Sequence, residues 1–135
     1  MDSERLKNFA EKKFGPKARR IIENPSNIIN ELGTASQLLT RDRVVSGFKH
    51  GLEDFKALLR MLKAWGTGQY KEIPWKSLWL SILAVIYFVS VVDFIPDFIL
   101  GVGFIDDFAL ISWVLGSIKE DLDKFKEFEN QNPNP

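Results

Sequence analysis

Apolar side chains recur at helical spacing almost from the first residue of this chain. Leu6, Phe9, Ala10 and Phe14 share one side of a short amphipathic helix over residues 4–14, and Gly15-Pro16 is expected to end it. Pro16 suits the first turn of a second helix reaching Ile22. Asn24-Pro25 repeats that punctuation, with Asn24 as N-cap. Ile28, Ile29, Leu32, Ala35, Leu38 and Leu39 then give a third stripe before Thr40. Beyond it Val44 or Val45, Phe48, Leu52, Phe55, Leu59 and Leu62 recur at alternating helical steps, while Glu53, Lys56, Arg60 and Lys63 fill the opposite side. This pattern predicts one helix of about six turns ending near Gly66. Gly47 and Gly51 fall inside it. Each glycine costs a helix about 1 kcal/mol relative to alanine, which calls for a closely packed neighbour.

The second half of the chain loses this two-sidedness. Pro74 opens a helix in which Trp75, Leu78, Trp79, Ile82, Leu83, Ile86, Tyr87 and Phe88 have almost no polar relief. Its uncharged window, Ser77 to Val92, is 16 residues, or roughly 24 Å of helix. A bilayer span needs about 20 residues for a core of about 30 Å. The segment is short for a span and long for a surface helix, so burial in protein and insertion in lipid both stay open. Asp93 to Asp107 then forms a hinge. Pro96 stops the preceding helix from continuing unbroken, and Gly101 and Gly103 admit tight backbone. Asp106 is a ready N-cap, with Asp107 in the first turn of the last helix. That helix is apolar nearly all round from Phe108 to Ile118. It is two-sided beyond Lys119, with Leu122, Phe125 and Phe128 on one stripe. No strand pattern and no internal repeat is present. The expected fold is all-α, a bundle of about five to six helices around a hydrophobic helical hairpin with a Pro/Gly hinge. The expected organisation is one domain over residues 1–129, in which amphipathic helices (1–70) precede the hairpin (75–118), and a disordered polar tail over 130–135.

Composition narrows the function classes. At 135 residues the chain is long enough to bury one core without disulfides or metals. Eighteen basic residues balance eighteen acidic ones, so net charge gives no case for a nucleic-acid partner. The charge is nevertheless uneven. Residues 1–20 carry seven basic and three acidic side chains, and residues 101–135 carry three and seven. A basic leading end suits anionic lipid or an acidic partner, and equally an ordinary solvated helix face. The absence of cysteine excludes disulfides and thiol chemistry. The charged start Met1-Asp2-Ser3-Glu4 lacks the apolar core of a secretion signal, so the cytoplasm or the cytoplasmic face of a membrane is expected.

Catalytic chemistry is poorly provided for. His50 is the one histidine and falls on the polar side of its predicted helix, Ser90 and Ser112 have no evident base, and a Cys/His zinc site is excluded. No catalytic residue is assigned. The exception to this blandness is the set Asp93, Asp97, Asp106 and Asp107, four carboxylates between Lys76 and Lys119 with no basic residue among them. Burying an ionised carboxylate without a partner is costly. Two readings compete. The aspartates bond backbone N–H groups around the turn and cap the last helix, or a hairpin brings them together on a hard cation such as Mg²⁺ or Ca²⁺. Their spacing matches no EF-hand loop and no paired aspartate-rich motif. The aromatics Trp75, Trp79, Tyr87, Phe104 and Trp113 sit at the edges of the apolar windows, where an interfacial belt would place them.

Tyr87, Ser90, Asp93, Ile95-Pro96-Asp97-Phe98-Ile99, Gly103, Phe104 and Asp106-Asp107 resemble the signature of the YkvA-like family, Y-x-x-S-P-x-D-x-I-P-D-x-I-P-x-x-G-[YF]-x-D-D. The resemblance covers about residues 75–118. Val91 and Leu100 stand where the family has proline, and Gly101 replaces an apolar residue. Losing two prolines makes the turn region less rigid than the family's. The resemblance implies an all-α fold and frequent membrane association, and it supplies no activity. The reading that results is a non-enzymatic protein of unknown function whose apolar hairpin inserts in or docks to a membrane. The alternatives are a soluble helical-bundle module that binds a protein partner or itself, and a divalent-cation-binding protein or enzyme using the four aspartates.

Overall fold

The computed structural model describes residues 3–48, 51–94 and 109–131. Among them are seven α-helices and one 3-10 turn, and no strand. The helices are α1 (Ser3–Glu23), α2 (Ile28–Leu38), α3 (Asp42–Gly47), α4 (Leu52–Gly66), α5 (Trp75–Phe94), α6 (Ala109–Ser117) and α7 (Lys119–Gln131), with the 3-10 turn Pro25–Asn27 ahead of α2. The all-α bundle expected from the periodicities is what the chain forms. Its centre is α5. Every residue from Leu80 to Phe88 is buried, because α1, α2, α4 and α6 all pack against this one helix. A side chain of this kind contributes about 1.5–3 kcal/mol when fully buried, so the apolar run that carries no helical sidedness is the part that holds the bundle together.

Two boundaries differ from the sequence expectation. Gly15-Pro16 does not end a helix, since α1 runs unbroken from Ser3 to Glu23. Pro16 lies on the exposed side, where a carbonyl that loses its N–H partner can turn to water. Gly15 faces inward, and a Cβ there would stand 3.8 Å from the Trp79 ring, so the glycine lets α1 lie close along α5. The second difference is that the six-turn helix expected over 40–66 is two helices, α3 and α4. The chain leaves helical geometry at Phe48 (φ −84°, ψ 83°), and Gly51 precedes α4 with φ of 87°, a conformation that glycine reaches without steric cost. A side chain there would also stand 3.3 Å from Leu115 Cδ1. At Gly51 the close neighbour expected from the sequence is α6.

The remaining elements follow their punctuation. Asn24 precedes the 3-10 turn, yet its side chain accepts a hydrogen bond from Ser26 Oγ (3.0 Å) instead of capping the backbone. Lys17 pairs with Glu31 and ties α1 to α2. Phe48, Phe55 and Phe88 form an aromatic cluster with centroids 4.9–5.9 Å apart, seating α3 and α4 against α5. The last helix is two-part, as its pattern requires, with the division at Ile118. Leu122 and Phe125 of α7 are buried, and Tyr70 lies against Phe125 and Phe128 at 5.1 and 4.9 Å. Helix α7 extends through Asn130 and Gln131, into the stretch expected to be a tail, and residues 132–135 lie outside the described set.

Candidate functional site

The candidate site read from sequence is described at its two flanks. Asp93 falls in the last turn of α5, and α6 begins at Ala109. Asp97, Asp106 and Asp107, the hinge residues Pro96, Gly101 and Gly103, and Phe104 lie within 95–108, outside the described residues, as does His50. What the structure adds is the frame around them. Ser77, in the first turn of α5, donates its hydroxyl to Asp121, in the first turn of α7. Helix α6 therefore runs back along α5, and the chain leaves α5 and re-enters α6 at the end of the hairpin far from Ser77. Among the described residues no three His, Asp or Glu side chains are placed to hold a metal ion.

Ser77 is buried, so its hydroxyl needs a partner, and the Asp121 carboxylate supplies one while sitting where the α7 dipole favours negative charge. Ser81, one turn further along α5, has no exposed surface and no hydrogen-bond partner among the described residues. Nearby, burial is the main cause that pushes the Tyr70 hydroxyl above its ordinary pKa, with the charges of Glu72 and Asp121 adding to it. On the outer side Arg60 donates to both Glu129 oxygens (2.7 and 3.1 Å) and Lys126 pairs with Asp54 at 2.6 Å, pinning α7 to α4. The Glu129 hydrogen bond holds the Arg60 guanidinium above its ordinary pKa.

A second candidate surface emerges where the end of α1 meets the start of α5. Arg19, Ile22, Glu23, Trp75, Lys76 and Trp79 line an open groove of about 510 Å³. Trp75 is 68% exposed, against half-buried Trp79 and Trp113 and buried Tyr87. The described aromatics therefore do not share one interfacial belt. Trp75 alone among them projects into solvent, beside two basic side chains. Sequence reasoning noted the basic leading end and the tryptophans separately, and no local signal joins them, because the groove exists only once α1 crosses α5.

The hairpin's signature also identifies the chain. The family described as "Protein of unknown function (DUF1232)" matches residues 77–113, from the first turn of α5 to the middle of α6. The chain is 35% identical over 83 residues to the "Uncharacterized membrane protein YkvA" of Bacillus subtilis (strain 168), an alignment covering 62% of this chain and 78% of that protein. The chain belongs to the YkvA-like family. No solved structure matches it. For a YkvA-like protein the matched segment is thus the core helix with Asp93, the first half of its return arm and the connection with Asp97, Asp106 and Asp107, while the groove-lining Arg19 and Trp75 lie outside the family match.

Proposed function

We propose that this YkvA-like protein is a non-enzymatic, membrane-associated protein that attaches at the bilayer surface while its apolar helix stays in the protein core. The observation that carries the reading is the enclosure of α5. Residues 80–88, the most lipid-like stretch of the chain, are covered by four other helices and have no face left for lipid. Among the described residues, no helix is long and apolar enough to cross a membrane. The relative described as a membrane protein supports association with membranes, and the exposed Trp75 with Arg19 and Lys76 supports contact from the surface. A membrane preparation washed with alkaline carbonate tests it. The protein is expected in the membrane fraction at neutral pH and in the supernatant after the wash. Retention through the wash means insertion, and recovery wholly in the soluble fraction before any wash removes membrane association. That last outcome favours the second reading, a soluble helical module whose Trp75 groove takes a protein side chain instead of lipid.

A further inference from the structure

Resting on that reading, we infer that the solvent face of α1, continued by Trp75 and Lys76 of α5, is the surface that binds an anionic phospholipid bilayer. The exposed residues of α1 repeat at steps of three and four. Arg5, Phe9, Lys12, Pro16, Arg19 and Glu23 form the line, with Lys13 and Arg20 beside it. Lys7 and Lys17, at the edges, are engaged by Glu11 and Glu31. By contrast Arg5, Lys12, Lys13, Arg19, Arg20 and Lys76 have no carboxylate partner among the described residues. Glu23, at the rim of the groove, is the one exposed carboxylate described on this face.

Two large aromatics interrupt the basic face, one towards each end. Phe9 is 50% exposed and its ring lies 5.7 Å from the Lys13 ammonium. Trp75 is 68% exposed beside Arg19 and Lys76. From Phe9 to Arg19 is roughly 15 Å along the helix, so the aromatic pair frames a face that a flat anionic sheet can meet along its whole length. Basic side chains gain from the negative surface potential of anionic lipid. Tryptophan, with an apolar ring and a polar N–H, favours the headgroup region. Exposed aromatic rings are unfavourable in water, and basic groups with no carboxylate partner among the described residues repel one another there; both are favourable on such a sheet. Charge complementarity and aromatic placement select the same occupant.

Co-sedimentation of the full chain with vesicles of phosphatidylglycerol in phosphatidylcholine, and with phosphatidylcholine alone, tests the assignment. Binding is expected only with phosphatidylglycerol and is expected to fall with added salt. The triple substitution Lys12→Gln, Lys13→Gln, Arg19→Gln is expected to weaken it about a hundredfold, at about fivefold per charge. Trp75→Ser is expected to weaken it about tenfold. All four positions are at least partly exposed, so the melting temperature reports that folding is intact. Lys63→Gln, on the exposed side of α4, should bind like the parent. Equal binding to both vesicle types, or a triple variant that binds like the parent, overturns the α1 face while leaving surface attachment standing. A parent protein that fails to bind either vesicle yet is captured by polyglutamate overturns both and assigns the face to an acidic protein partner.

Discussion

Ser81 stands in the middle of α5 with no exposed surface and no partner for its hydroxyl among the described residues. A buried, unbonded hydroxyl costs more than the methyl of alanine in the same place. Ser81→Ala is therefore expected to stabilise the protein by about 1 kcal/mol, read as a rise in the denaturant midpoint without a change in slope. Tyr70 gives a pH dependence whose sign follows from its environment. Burial first, then Glu72 and Asp121, raise its pKa above 10.0, so the folded state holds the phenolic proton more tightly than the unfolded chain. This contribution is fully present below pH 10 and is lost as pH rises through the raised value. Melting temperatures taken on both sides of pH 10 should show an alkaline loss that Tyr70→Phe diminishes, the ring contacts with Phe125 and Phe128 being kept. Neither residue's situation was legible in the sequence. A helix apolar on every side has no periodicity to say where Ser81 points, and Tyr70 lies in the connection before Pro74, where no pattern predicts burial.

Helices were legible wherever one side of them is wet. The stripes of α1, α2, α4 and α7 each appear as apolar positions three and four apart, and the two-part final helix was readable because its composition changes at Lys119. The boundaries misread are those where the pattern and the backbone part company. The spacing of apolar residues continues across Gly51, so the sequence looks like one helix, while a non-helical Phe48 and a positive φ at Gly51 divide it. Gly51→Ala tests this directly. Alanine in a left-handed conformation costs about 1–2 kcal/mol, and its Cβ would also meet Leu115 at 3.3 Å. The expected result is a loss of stability of at least that size in chemical unfolding. An unchanged midpoint would mean that the backbone can relax into a continuous helix. At Gly15-Pro16 the error ran the other way, because a proline on the exposed side ends nothing when its neighbour is held against Trp79.

For the whole molecule, the arrangement around α5 is what a sequence cannot display. The four aspartates drew notice because they interrupt an apolar run, and two of the arms that frame them, α5 and α6, fall where the hairpin pattern put them. The groove of Arg19 and Trp75 drew none, since its halves are far apart in the chain and ordinary when read alone. Enclosure of α5 has a measurable signature in hydrogen exchange. Amides of residues 80–88 are expected to exchange only through global unfolding. Anionic vesicles should leave those rates unchanged while slowing exchange along α1. Faster exchange in α5 on adding vesicles would instead mean that the helix leaves its cover for lipid. The order of helices along the chain has one more consequence. A ribosome makes α1, α2 and α4 before α5, so most of the surface that will cover the apolar helix has been synthesised when that helix emerges. Removal of residues 1–23 would take away the first of those partners and leave the Trp79 side of α5 bare as it is made. A nascent chain so shortened is expected to aggregate or to enter membranes in carbonate-resistant form, whereas a shortened chain that folds and keeps its cooperative transition would mean that α2, α4 and α6 suffice as cover.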